Sequence, residues 1–229
     1  MSNLQSYLES SNEKARDQQK EWKLFGNIDV FIKDPFVTPI NVPDIINKFE
    51  QLIPSHLTYG LDSIYIGDFK EFQQRNINAF FEGGTIYVSN IQDDLEDFLD
   101  DIIHELAHSV EAQNGLEIYG DGRLENEFLG KRKKLYYILK EEGYDINLLD
   151  FLNPEYTREF DELLYKKIGY SNLRDLTGGL FYSPYGATSL SEYFANAFEA
   201  FFMKKDFNTL QSLSPVLYNK IEKLADRGE

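Results

Sequence analysis

The residues best suited to chemistry are two histidines and a glutamate within one short segment, His104-Glu105-Leu106-Ala107-His108. Side chains four positions apart lie one turn above each other on an α-helix, so the two imidazoles can bind one metal ion. Glu105 is not needed as a ligand, and its carboxylate can take a proton from a water molecule on that metal. The pattern predicts the site of a zinc hydrolase.

The residues around this motif favour a metal site over a pair of histidines buried in the core. Apolar residues recur at helical spacing from position 95 to position 110, which places the motif in the middle of a helix. Asp93, Asp94, Glu96 and Asp97 load the first turns with negative charge and suit the positive end of the helix dipole. A satisfied pair of core histidines is the alternative interpretation.

The composition predicts one domain over residues 1–229. Of the 229 residues, 42% are hydrophobic and 15% aromatic, enough for a sizeable core. The chain has no cysteine, so any zinc must be bound by nitrogen and oxygen ligands. The net charge of -16 repels nucleic-acid backbones and anionic membranes. We therefore expect neither nucleic acid nor a membrane as a partner, whereas a basic segment of a protein or peptide substrate would be attracted.

The sequence predicts a cytoplasmic protein. No apolar stretch approaches the roughly 20 residues that a membrane span needs. Residues 1–6 are polar and have neither the basic nor the apolar region of a secretory signal. Export by a route that needs no such signal stays open.

The periodicity of apolar residues predicts an α+β fold, with a small N-terminal sheet and a helical C-terminal half meeting at a cleft. Residues 1–25 carry a polar helix over 3–22 that can lie at the periphery. The N-terminal half has predicted strands at 28–32 and 63–66, a helix at 43–53 and a hairpin at 78–89. After the motif, helices are predicted at 124–142, 154–168, 189–204 and 215–225.

A third metal ligand must come from elsewhere in the chain, because a catalytic zinc normally has three protein ligands and one open position. The helix predicted at 189–204 carries Glu192, Asn196 and Glu199 on one polar stripe, and its other faces are aromatic. A polar stripe on such a helix indicates a buried partner. The alternative is an amphipathic helix with solvated glutamates, and periodicity alone supports both interpretations equally.

Two blocks of the chain resemble the gluzincin metallopeptidases, and among them the group of anthrax lethal factor and the clostridial Pro-Pro endopeptidases. Those proteins have the His-Glu-x-x-His helix and then a glutamate in a segment that residues 192–196 closely resemble. The resemblance implies a zincin-like fold. It also implies one zinc ion bound by His104, His108 and Glu192, with Glu105 as the general base.

The same family has a tyrosine seven residues before its ligand glutamate, and that position is Tyr185 here. The resemblance implies that its phenol stabilises an oxyanion or occupies the open coordination position. Tyr182 is a second candidate, and a turn tyrosine that covers apolar surface is the structural alternative. Asn196 stands where the relatives have an acid. We expect it to accept a hydrogen bond from a ligand imidazole without charge, with Glu199 as a further supporting residue.

In these relatives the helix that carries the His-Glu-x-x-His motif, here called the metal helix, follows a strand at the exposed edge of the sheet. That strand pairs with an extended substrate. The resemblance therefore implies that the substrate pairs with the strand at 85–89. The substrate-binding residues expected on this strand are Thr85, Ile86, Tyr87 and Val88.

The expected function is that of a zinc-dependent endopeptidase in which Glu105 takes the proton of a zinc-acidified water and returns it to the leaving amine. A catalytically inactive binding protein, in which zinc staples the two halves together, is the main alternative. Intact Glu105 and Tyr185 are arguments against it. A metal-free helical interaction protein is a third interpretation, but it leaves the paired histidines and Glu192 unexplained.

Overall fold

The fold is α+β, with a small mixed sheet in the N-terminal half and helices through most of the remainder. The computed structural model describes residues 22–75, 77–177, 179–204 and 206–228. No helix within these ranges is long and apolar enough to cross a membrane.

The sheet has five strands in the spatial order β1-β2-β3-β5-β4. The strands β1 to β5 are Trp22–Leu24, Ile28–Ile32, Ser63–Ile66, Ala79–Glu82 and Thr85–Val88. The central strands β2, β3 and β5 are parallel, and the outer strands β1 and β4 are antiparallel to their neighbours. The strands predicted at 28–32 and 63–66 and the predicted hairpin are confirmed.

Ten α-helices occur in the described ranges. Helices α1 to α5 are Val42–Leu52, Lys70–Arg75, Leu95–Tyr119, Arg123–Glu141 and Leu148–Phe151. Helices α6 to α10 are Arg158–Glu162, Tyr170–Thr177, Leu190–Glu199, Phe207–Leu213 and Pro215–Ala225. Helices α6 and α8 continue as π-helical turns over Leu163–Ile168 and Ala200–Lys204.

Two of the predicted helix boundaries are wrong. Trp22 does not end a helix but begins strand β1, where it pairs with Val30. Residues 3–21 of the predicted helix lie outside the described residues. The helix predicted to begin at 154 begins at Arg158, because the hydroxyl of Thr157 accepts a hydrogen bond from the Phe160 amide and caps it there.

The prediction that residues 85–89 form the exposed edge of the sheet is wrong. Strand β5 is hydrogen-bonded on both sides, to β3 and to β4. Gly83 and Gly84 adopt positive φ angles of 57° and 80°, which lets a two-residue turn fold β4 back onto the outer side of β5. The exposed edge next to the metal helix is therefore β4, and Thr85, Ile86, Tyr87 and Val88 lie one strand further in.

The core extends through the helical half, and its N-terminal part lies between the sheet and helix α3. Ile64, Ile86 and Val88 point from the sheet into this layer and are 1% exposed or less. The apolar stripe predicted on the metal helix is confirmed, since one face of α3 is almost completely buried. Its members are Phe98, Leu99, Ile102, Ile103, Leu106, Ala107 and Val110.

Candidate metal centre

Helix α3 presents His104 and His108 together because its opposite face is fixed in the core. Its first turn is capped by the Asp94 carboxylate, which accepts hydrogen bonds from the amides of Glu96 and Asp97 at 2.7 and 3.0 Å. The two imidazole rings lie 5.3 Å apart between centroids. The spacing of four residues thus places both rings on one side of the helix, as the sequence predicts.

Glu192, on the first turn of helix α8, faces both histidines. Its Oε2 atom lies 3.0 Å from Nε2 of His104, and its Oε1 atom lies 3.9 Å from Nε2 of His108. The Glu192 side chain is only 15% exposed, so the alternative of a solvated glutamate at this position is wrong. Three ligand-type side chains from two helices therefore meet at one point.

The other nitrogen of each imidazole faces a second carboxylate. Nδ1 of His104 lies 3.6 Å from Glu199, which is 9% exposed, and Nδ1 of His108 lies 2.9 Å from Glu111. Carboxylates in this position orient a ligand imidazole and make it more basic. The supporting position predicted for Glu199 is consistent with this geometry.

Glu111 is itself held by two hydroxyl groups. Ser191 donates to its Oε2 atom at 2.6 Å, and Tyr119 donates to its Oε1 atom. The Ser191 hydroxyl also lies 3.1 Å from Nδ1 of His108. This network connects the metal helix directly to the residue that precedes Glu192.

The prediction that Asn196 supports a ligand imidazole is wrong. Its amide nitrogen donates to the backbone carbonyl of Glu192 at 3.0 Å, and its amide oxygen accepts a hydrogen bond from the Ser183 hydroxyl. Asn196 lies one turn after Glu192 and is turned toward the loop before α8, so Glu199 occupies the position beside His104 instead. Asn196 therefore stabilises the loop that contains Tyr185.

Tyr185 lies at the centre and Tyr182 packs elsewhere. The ring of Tyr185 lies 6.3 Å from that of His104, and its hydroxyl forms a hydrogen bond with Glu192. Tyr182 is half-buried against the core. Burial and the nearby Glu192 carboxylate raise the pKa of Tyr185 far above its ordinary value, so its phenol keeps its proton and remains a hydrogen-bond donor.

Glu105 lies beside the same point on the side of the sheet. Ligand atoms of His104, Glu105 and His108 all lie within 4.8 Å of one another. Burial raises the pKa of Glu105, while the two histidines and a hydrogen bond with the Phe81 backbone oppose the rise. A carboxylate with a raised pKa is suited to taking up a proton and releasing it again.

The charges at the centre favour protonated histidines in the absence of a metal. Burial disfavours the charged form of His104, but the carboxylates of Glu192 and Glu199 outweigh it and raise its pKa to about 10. Burial also opposes the charge on Glu192, and the hydrogen bond with His104 outweighs it and lowers the pKa of Glu192. This region has an excess of negative charge that a divalent cation would neutralise.

The donor set fits zinc. The two oxygen atoms of the Glu192 carboxylate lie 3.0 Å from Nε2 of His104 and 3.9 Å from Nε2 of His108, so one carboxylate faces both imidazoles. Two imidazoles and one carboxylate are ligands that zinc accepts.

Sequence reasoning missed Glu111, Ser191 and Tyr119. Glu111 lies three positions after His108, a spacing at which helical side chains meet, so this contact was open to prediction. The hydroxyl of Ser191 comes from another helix, and the sequence holds no signal for it.

No family model matches this chain, and neither does any curated protein or solved structure. The assignment of a function therefore depends on the geometry of the centre and on the chemistry of its residues.

Proposed function

We propose that this chain is a zinc-dependent endopeptidase of the gluzincin type with a zincin-like fold. One observation supports the proposal most: the Nε2 atoms of His104 and His108 face the single carboxylate of Glu192, while their Nδ1 atoms face Glu199 and Glu111. Histidines that hold a metal have one nitrogen directed at it and the other at a supporting carboxylate. A pair of ordinary core histidines has no need for this arrangement.

His104, His108 and Glu192 would hold the zinc ion, which supplies Lewis-acid chemistry by polarising a carbonyl and lowering the pKa of water. Glu105 accepts the proton of the attacking water and returns it to the leaving amine. Tyr185 donates a hydrogen bond from its phenol to the oxyanion that develops on the scissile carbonyl. Each of these residues is within contact distance of at least one other member of the set.

The order of the sheet suggests where a peptide binds. Strand β4 is the edge beside helix α3, and the Phe81 backbone already contacts Glu105. The Ser89 amide donates a hydrogen bond to the Asn78 carbonyl at 2.8 Å. Backbone hydrogen-bonding groups alternate in direction along an antiparallel strand, so those of Ala79 and Phe81 point away from β5. An extended peptide that pairs with β4 would pass beside Glu105.

Zinc content and turnover, measured on the same three proteins, test the proposal. Three proteins are purified without added metal or chelator: the parent chain, Glu192→Ala and Glu105→Gln. Elemental analysis gives their zinc content, and a peptide library gives their turnover. We expect about one zinc per chain in the parent and in Glu105→Gln, and little in Glu192→Ala. Glu105→Gln should lower peptide turnover by at least about 100-fold, because it removes the group that moves the proton.

Three results would contradict the proposal. If the folded parent contains no zinc and takes up none on titration, His104 and His108 are a pair of core histidines and not metal ligands. One zinc per chain without hydrolysis of any peptide would favour the zinc-stapled binding protein. Equal loss of zinc from both variants would contradict the separate roles of Glu105 and Glu192.

A further inference from the structure

Arg132, on helix α4, is a cation in the interior of the protein. The residue is 0% exposed. Its Nη1 atom donates to the carbonyls of Ala187 and Thr188 at 3.0 and 3.1 Å, and its Nη2 atom donates to the carbonyl of Asp150 at 2.5 Å. The guanidinium also lies 3.7 Å from the centre of the Phe160 ring. One side chain thus connects helix α4, helix α5 and the turn before helix α8.

This arrangement is a costly way to gain stability. The guanidinium makes no ion pair with a carboxylate in the described ranges, and its Nε atom has no hydrogen-bond partner there. Removing a guanidinium from water costs free energy, and an apolar side chain of similar volume often stabilises a core equally well. The effect of Arg132 therefore lies in the carbonyls that it holds in place rather than in a net gain in the stability of the fold.

Two of these carbonyls lie between Tyr185 and Glu192. Thr188 also donates from its hydroxyl to the Tyr185 carbonyl at 2.7 Å. Ser189, the next residue, caps helix α8 by accepting a hydrogen bond from the Glu192 amide at 3.1 Å. Movement of this turn would displace both Tyr185 and Glu192 relative to the histidines of α3.

We propose that Arg132 is a positioning residue for the metal centre: it holds the turn that sets the positions of Tyr185 and Glu192. Its role in turnover rests on the proposed function. Its role in metal affinity requires only that His104, His108 and Glu192 bind zinc.

Lys131 provides a matched control on the same helix. It is 7% exposed and donates to the backbone carbonyls of Leu180 and Leu213, both at 2.6 Å. Neither carbonyl lies between Tyr185 and Glu192. Lys131→Met therefore removes a buried cation that binds carbonyls, as Arg132→Met does, but leaves that turn held.

The test measures the zinc Kd of the full chain by competition with a chelator, and kcat and KM where a peptide is hydrolysed. Arg132→Met should raise the zinc Kd by about tenfold, as loss of a supporting residue at a metal site does. It should lower kcat with little change in KM. It should lower kcat by less in a Tyr185→Phe background than in the parent, because the part of the effect that acts through Tyr185 is lost there. Lys131→Met should leave both quantities within about twofold of the parent.

Either of two results would overturn the proposal: a zinc Kd in Arg132→Met equal to that of Lys131→Met, or a loss of kcat that adds in full to that of Tyr185→Phe. If Arg132→Met does not fold, Arg132→Lys takes its place, because one ammonium keeps the charge but cannot reach all three carbonyls. If the parent hydrolyses no peptide, the proposed function fails, and the zinc Kd values alone still decide the role of Arg132.

Discussion

At the scale of single residues, Glu111 supports one of the two imidazoles of the centre. It faces Nδ1 of His108 at 2.9 Å and accepts hydrogen bonds from Ser191 and Tyr119. Because both hydroxyls fix the carboxylate, it holds the imidazole in one orientation. Burial disfavours the charged form of His108, but the hydrogen bond with Glu111 and the nearby carboxylates of Glu192 and Glu105 outweigh it and raise the pKa of His108.

Glu111→Gln should therefore weaken zinc binding without removing a ligand. We expect the zinc Kd to rise by about 10-fold to 100-fold, because the amide orients the imidazole without supplying negative charge. Competition with a chelator measures the change. Glu96→Gln, which neutralises an exposed carboxylate on the same helix, serves as the control and should keep the parent affinity. An unchanged Kd in Glu111→Gln would show that His108 needs no support.

The sequence predicts a metal site at His104 and His108 with Glu105 as the base, since four-residue spacing on a helix is a local property. The polar stripe of the helix predicted at 189–204 offered Glu192 as one candidate ligand, and only the resemblance singled out Glu192 and Tyr185, because their contacts join segments far apart in the chain. Asn196 shows the limit of this reasoning. Its position on the helix was correct, but its direction depends on the Ser183 hydroxyl, which sequence spacing does not reveal.

At the scale of elements, the hairpin before helix α3 separates what nearby residues determine from what distant pairing determines. The glycines at 83 and 84 and the alternating residues on either side predict two antiparallel strands. Which of the two is outermost depends on the parallel pairing of β5 with β3, some twenty residues earlier in the chain. That pairing joins segments that are distant in the chain, so the resemblance, applied to the strand just before the helix, led to the wrong edge.

Binding of a substrate along β4 predicts an alternating effect of amide methylation. The outward backbone groups at Ala79 and Phe81 are two residues apart, so a paired peptide would use every second amide of its own. N-methylation of those amides, one at a time, should lower kcat/KM by about threefold to tenfold, the value of a single hydrogen bond. Methylation of the intervening amides is the control. Equal effects at all positions would exclude strand pairing at this edge.

At the scale of the whole molecule, the chain has a net charge of -16, and the candidate centre is itself rich in carboxylates. Such a field attracts cationic peptides and raises their rate of encounter, and dissolved salt screens it.

A peptide with several lysines or arginines around its cleavage site should therefore lose kcat/KM as ionic strength rises. Between about 0.02 M and 0.5 M salt we expect a decrease of about tenfold for the basic peptide. A neutral peptide with the same residues at the scissile bond should change by less than about twofold. Initial rates at low substrate concentration give both values. Parallel curves for the two peptides would show that the charge serves solubility only.

The distance along the chain between the two parts of the centre has a consequence for biosynthesis. His104 and Glu192 are 88 positions apart, and Arg132, which holds the Glu192 turn, lies between them. A nascent chain thus contains both histidines and the general base long before the ribosome adds the third ligand. For the proposed enzyme, hydrolysis can begin only after the segment that carries Glu192 has been synthesised and has packed against helix α3. The order of translation would then protect the growing polypeptide from its own active site.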